Sequence, residues 1–439
     1  MPARKLDNHP RRFELTKELH ARPFMPVGVP GRALLVAFKE ERHAQERDPE
    51  ADRAHLLSFI ERHGGPHPAP GDSHHIGDFD RFILKWERHT EFVSYMLVEE
   101  GEGEGLFEAT LAEHLPADWL AEAPGKVVAA VEIEVMRFAD LAAAEEAVSR
   151  GRLAREFSRE SLAMARVIDG AALAIGDFRI HEGGFSRFAL LVHQDVGARR
   201  IGRAVQRLVE IENYRMLAML ALPIARSLAG RLNQIDRELT SLLARVADRE
   251  DTVTEQAILD ALTALSAEIE ALSASTAFRF GAARAYEAIV HERVQMMRED
   301  RLVGRQLFSE FMLRRFDPAM RTVRATETRL EGLATRASRT ADLLRTRVDV
   351  ALQAQNQDLL TSMDRRAALQ LRLQETVEGL SVVAISYYAV SLAGYFLAPL
   401  EEIFDIPEAF LKAIAALPII LLVWWFVRRI RKRVARQGE

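Results

Sequence analysis

The chain has 439 residues, room for two or three domains, and a formal net charge of −5 at pH 7. That balance leaves no whole-chain footprint of nucleic-acid binding. There is no cysteine, which excludes disulfides, thiolate metal sites and cysteine nucleophiles.

The first residues lack an apolar export segment: His9, Pro10, Arg11 and Arg12 are polar, so the body of the chain is expected to stay in the cytoplasm. Residues 1–196 read as a cytoplasmic α+β domain. Strand-like runs fall at Ala33–Phe38, Asp80–Trp86, Glu91–Val98, Val127–Phe138, Ser161–Ile168, Ala171–Ile180 and Phe185–Gln194. Helices are predicted at Pro49–Arg62, where proline suits a first turn, and at Asp140–Arg150. His63–Gly77, dense in Gly, Pro and His, reads as a loop, as does Gly101–Gly105. Strands without regular helical crossovers favour a mainly antiparallel sheet.

Three polar groups in this domain bear on chemistry. His20 and Arg22 precede Pro23 at a helix end; basic side chains there cap a helix C-terminus, and the same pair suits an anion. Lys85, Glu87, His89 and Glu91 alternate with other residues, so an extended stretch would put them on one face. Cross-strand ion pairs are one reading of that face; Glu87, His89 and Glu91 as ligands of a divalent ion are the other. His74 and His75 lie in the loop without a specific ligand spacing. Gly101-Glu-Gly-Glu-Gly105 matches no phosphate-binding fingerprint, and its acids would repel phosphate. No catalytic arrangement emerges, so no enzyme and no cofactor are expected.

Residues 197–316 read as helical: Arg199–Leu243 bent at Pro223, then Glu255–Leu272 and Ala282–Arg314. Pro318 opens a last helix, and 317–379 forms a stalk that would exceed about 100 Å together with the segment beyond it, with Gly332 and Gly379 as possible bends. Residues 380–400 carry no charge, and about 21 apolar residues suffice to cross a bilayer. An acidic loop, 401–409, holds Glu401, Glu402, Asp405 and Glu408; a second apolar stretch, 410–427, contains Lys412 and Pro418; a basic tail, 428–439, follows. Arginines flank the pair of spans and acids fill the loop. The positive-inside rule therefore places both termini in the cytoplasm and the acidic loop outside, where it would concentrate cations.

Along the stalk, Asn356, Leu360, Met363, Ala367, Gln370, Gln374, Val377 and Ser381 fall on one face, and Tyr388 and Tyr395 continue it. Polar residues at such positions set register in a coiled coil; in a symmetric ring they line a hydrated pore.

Two resemblances follow from these segments. His9–Phe24, Lys85–Tyr95, Asn213–Pro223 and above all Thr346–Tyr388, with Arg347-Val-Asp-Val, Gln355-Asn-Gln and Val377-Glu-Gly-Leu-Ser381, resemble a bacterial family of uncharacterised membrane-anchored proteins with no established activity. The overall architecture is similar to the CorA family of magnesium transporters. This resemblance implies a pentamer in the inner membrane whose stalk and first span line an ion path. The family's Gly-Met-Asn filter is absent; the nearest positions are Gly394-Tyr-Phe396, which lack the amide ligand. The expectation is a homo-oligomeric inner-membrane protein that moves an inorganic ion. The alternative is a membrane-anchored scaffold or sensor whose cytoplasmic domain binds a protein or small ligand.

Overall fold

The structure, a computed structural model, describes residues 7–435 except 14, 17–22, 42–46, 102–105, 108–110, 152, 194, 248–251 and 405–407. Apolar runs rich in Val, Ile and Phe form β1 (Gly31–Lys39), β4 (Phe92–Glu100), β5 (Lys126–Arg137), β6 (Ala163–Val167), β7 (Ala172–Ile180) and β8 (Ser186–Val192). The shorter β2 (His74–Asp78) and β3 (Ile83–Arg88) complete one sheet in the order β2-β3-β4-β1-β5-β8-β7-β6. Every neighbouring pair is antiparallel except β5 and β8. The predicted mainly antiparallel sheet is therefore present, with one parallel pair at its centre.

β2 corrects the sequence reading of His63–Gly77 as loop throughout. His74-His-Ile-Gly-Asp78 has little strand propensity of its own, and it is held by pairing His75 with Trp86 and Gly77 with Leu84. On the same side of the sheet, α1 (Pro49–His63) starts with Asp48 accepting from the Glu50 N–H and proline in the first turn. It buries Leu56, Phe59 and Ile60 against Trp86, Tyr95 and Trp119, the last from the short α2 (Ala117–Ala121). A neighbouring cluster on this face is closed by α3 (Leu141–Ser149), capped by Asp140, and α4 (Leu153–Glu156).

The opposite face is covered by α5 (Ala198–Met219), α6 (Ala221–Ala247) and part of α7 (Thr252–Met296). The chain breaks at Leu220 rather than bending at Pro223, because Pro223 occupies the first turn of α6, where a backbone donor has no intrahelical partner to lose. The predicted helix Ala282–Arg314 is also corrected. The chain leaves α7 after Met296, and Asp300 and Gln306 bridge to Arg166 and Ala163 on the edge strand β6. Helix resumes at α8 (Phe308–Phe311), passes through a π-turn over Met312–Phe316, and continues as α9, Asp317–Phe404. α9 is unbroken at Gly332 and Gly379, and α10 covers Glu408–Ala435. The predicted loop 401–409 is thus shorter, since its first four residues finish α9 and Glu408 starts α10.

The chain divides into two compact units: Met1–Asp248 with Asp260–Thr340, and Arg249–Leu259 with Ala341–Glu439. The first holds the sheet and its cores. The second holds most of α9 and all of α10. Within it, the Lys412 side chain crosses α9 so closely at Gly394 that a Cβ there would collide with it.

Candidate functional site

α9 and α10 each contain a stretch long and apolar enough to cross a membrane, with 11% and 6% of those stretches buried. A core helix of a water-soluble protein would be mostly covered; these leave Leu380, Val383, Phe396, Leu417 and Leu422 exposed. At the C-terminal end of the second stretch, Arg428 lies 4.9 Å from the Trp424 ring and Arg429 5.0 Å from that of Trp425. These are cation–π pairs at i, i+4 spacing.

The residues predicted to line a path all lie on α9. At about 100° per residue, Asn356, Met363, Gln370, Gln374, Ser381, Tyr388 and Tyr395 fall within about 60° of one another. All seven are exposed. Gln374 donates to Glu378 at 3.2 Å and the Ser381 hydroxyl to the Val377 carbonyl at 2.8 Å. Gln370, Gln374 and Ser381 also border an open groove closed on the far side by Val427 of α10. Of the predicted cation-attracting acids, Glu401 and Glu402 are in the last turn of α9 and Glu408 begins α10; Asp405 lies outside the described residues.

Among the described residues, Glu87, His89 and Glu91 of the predicted cytoplasmic group do not converge on one point. His20 and Arg22 lie outside the described residues. β3 ends at Arg88 and β4 begins at Phe92, so a turn, not a strand face, carries His89 and Glu91. Glu87 pairs with the buried Lys85 at 3.1 Å, and the His89 ring stacks on Phe92 at 4.1 Å. Glu91 instead turns inward to α7. It accepts from both Nη atoms of Arg279, the Nη1 contact being 3.2 Å, and from the Tyr286 hydroxyl at 2.6 Å; Lys39 Nζ is 3.7 Å away. Burial alone would raise the Glu91 carboxyl, but the hydrogen bonds from Arg279 and Tyr286 and the nearby cations hold it below the usual range. An anion so fully partnered anchors α7 to the β3–β4 turn rather than offering ligands to a metal.

Sequence reasoning missed a cavity of about 470 Å³ in the first unit. β8 begins at Ser186, opposite Val131, five residues after β5 begins at Lys126. Residues 126–130 therefore pair with β1 on one side and have no strand on the other. The gap is walled by Leu115 and Leu120 on one face of the sheet, Met216 on the other and the turn before β8. In that turn Gly183 and Gly184 have φ of 92° and 89°, a conformation in which a Cβ is strained. The polar floor is satisfied within itself: Ser186 Oγ donates to Glu212 at 2.8 Å, and Arg215 grips both carboxylate oxygens at 2.7 and 2.8 Å. A carboxylate neutralised this way does not activate Ser186 as a nucleophile, and the space suits an apolar body. No short motif marks it, because it arises from the offset between two strand starts.

A third grouping joins Glu287 and His291 of α7 to Asp317 of α9, with one ligand-type atom from each within 4.8 Å of the others. Among the described residues it is the one His/Asp/Glu grouping of metal-binding dimensions. Burial raises the Glu287 carboxyl, and Arg324 opposes that shift.

Fold and hairpin together define a class: an α+β domain followed by long helices, two of which are candidate membrane spans. Within that class, the chain belongs to the family described as "Protein of unknown function (DUF3422)", which matches residues 7–434. No curated protein matches it. Among solved structures it is similar to one described as "structure of the full-length CmaX protein", at 12% identity and a TM-score of 0.17, covering 69% of this chain and 89% of that one. Nothing about fold or function follows from a likeness that low.

Proposed function

We propose that this is an integral inner-membrane protein. In this reading α9 and α10 cross the bilayer with both termini in the cytoplasm, and copies assemble so that the polar stripe of α9 lines a path for an inorganic ion. The observation that carries it is the stripe itself. Seven residues, four of them Asn, Gln or Ser and two Tyr, share one exposed face of a single helix that continues into the first candidate span. The Tyr388 and Tyr395 hydroxyls lie in the apolar stretch, where facing hydrocarbon costs free energy unless they are partnered. The Asn and Gln members extend the same face along the stalk, so that face is expected to meet water, an ion or another copy. The arginine–tryptophan pairs at the end of α10 support an interface at that level, with the basic end inside.

Assembly is tested by native mass spectrometry of the full chain in detergent. The reading predicts a closed ring, five chains if the CorA resemblance holds; a monomer at all concentrations contradicts it.

The cavity favours a second reading, a membrane-anchored sensor in which the cytoplasmic domain binds a small apolar ligand. In that case the spans act as a tether, and exchanging them for an unrelated hairpin would leave function intact. In the first reading the exchange abolishes it.

A further inference from the structure

The grouping at Glu287, His291 and Asp317 belongs to neither the stripe nor the cavity. Glu287 and His291 are four residues apart on α7 and so stand one above the other on the same helix face. Asp317 is the first residue of α9, and its Oδ1 lies 3.3 Å from His291 Nε2. Two ligands at about 2.1 Å from a common ion sit at most about 4.2 Å apart. Side-chain adjustments of roughly half an ångström therefore bring all three atoms, now within 4.8 Å, onto one ion.

Two further observations single this cluster out from ordinary ion pairing. Asp317 Oδ1 is shielded from solvent, and its contact with His291 Nε2 lacks hydrogen-bond geometry. A coordinated cation would satisfy that shielded acceptor. The π-turn over Met312–Phe316 ends immediately before Asp317. Its wider winding re-aims the residues that follow, and such turns recur at functional sites.

The charges also suit a cation. Glu287 and Asp317 contribute two negative charges and Arg324 one positive, with Arg324 Nη1 at 3.1 and 3.2 Å from the two Glu287 oxygens. A neutral imidazole leaves the group net negative, and Arg324 holds the Glu287 carboxylate in place as an outer partner. Imidazole with two carboxylates suits the borderline divalent ions; magnesium and calcium prefer oxygen alone.

We propose that Glu287, His291 and Asp317 bind one divalent transition-metal ion of the zinc or manganese class, clamping α7 to the start of α9, with water completing the coordination. This site does not depend on ion conduction through the stripe, so either idea can fail alone.

The test is equilibrium dialysis of the chelator-stripped full chain in detergent against Zn²⁺, Mn²⁺ or Co²⁺, with Mg²⁺ as comparison. The expected result is one Zn²⁺ or Mn²⁺ per chain and a visible absorption band with Co²⁺. His291→Gln and Asp317→Asn should each weaken binding at least tenfold while circular dichroism stays unchanged. Arg324→Gln and the pair His74→Ala, His75→Ala should keep the stoichiometry. The proposal is overturned if no stoichiometric metal binds, if folded His291→Gln and Asp317→Asn bind as the parent does, or if the His74/His75 pair alone removes the metal.

Discussion

Glu134 on β5 lies in one cross-strand row with Arg32 of β1 and Glu99 of β4. Arg32 pairs with Glu99 at 3.2 Å, and its Nε and Nη1 have no hydrogen-bond partner among the described residues. Glu132 and Arg187 face the same row from β5 and β8, and the Phe107 N–H donates to Glu134 at 3.2 Å. Burial pushes the Glu134 carboxyl up to about 7 from an ordinary 4.5, against the opposing Phe107 hydrogen bond and Arg32 charge. Between those values the folded chain keeps a proton that the unfolded chain has lost. Stability from this group is therefore full below 4.5 and falls as pH rises to about 7, by about 3 kcal/mol in all. Glu134→Gln should flatten thermal unfolding between pH 5 and 8 and raise the melting temperature at pH 8; an unchanged pH slope would refute the assignment. His55 behaves in the opposite sense. Burial lowers its pKa, and it bridges the Tyr95 hydroxyl at 2.8 Å and the Trp119 carbonyl at 3.0 Å, so it is a core histidine whose contribution is lost toward acid pH. Neither role was legible in the sequence, because both depend on which strand lies opposite. The alternation of Lys85, Glu87, His89 and Glu91 was legible, but the turn after Arg88 sends each side chain to a different partner.

Helices and strands were read best where the apolar pattern alone decides. Seven of the eight strands, α1 and α3 lie close to their predicted positions, whereas Pro318 does not open the last helix, which runs on from Phe308 through the π-turn. Two of the misses share one cause, a tertiary partner overriding local preference. β2 exists through its pairing with β3, and the end of α7 is set by the bridge of Asp300 to Arg166. α5 shows the same dependence on close packing. Gly202 lies so near the Met25 carbonyl that any Cβ would overlap it, and the adjacent Val27 N–H donates to Ala198 at 3.1 Å. The contact is backbone and cannot swing aside, so Gly202→Ala should destabilise the fold by about 1–3 kcal/mol. Thermal unfolding at fixed pH measures it, and a shift within error would show that the N-terminal segment yields freely. Gly230, with nothing within 4 Å of its would-be Cβ, is the control: alanine there should be neutral or stabilising.

The chain as a whole joins a sheet domain rich in buried apolar residues to a helical unit that leaves its apolar residues uncovered. The candidate spans were legible because a bilayer demands a long uncharged run, which composition reveals directly. The cavity and the metal-sized cluster were not, since each is made by segments distant in sequence. Membrane anchoring predicts that the full chain resists alkaline carbonate extraction, whereas a chain ending before Leu380 is released; release of both would remove the anchor. The ion path makes the sharper demand. Purified protein in liposomes should pass an ion down an imposed gradient, and Gln370→Leu with Gln374→Leu should reduce that flux at least tenfold without altering assembly. If no cation or anion moves under any gradient, the stripe on α9 is not a conduction path and the account fails at its centre.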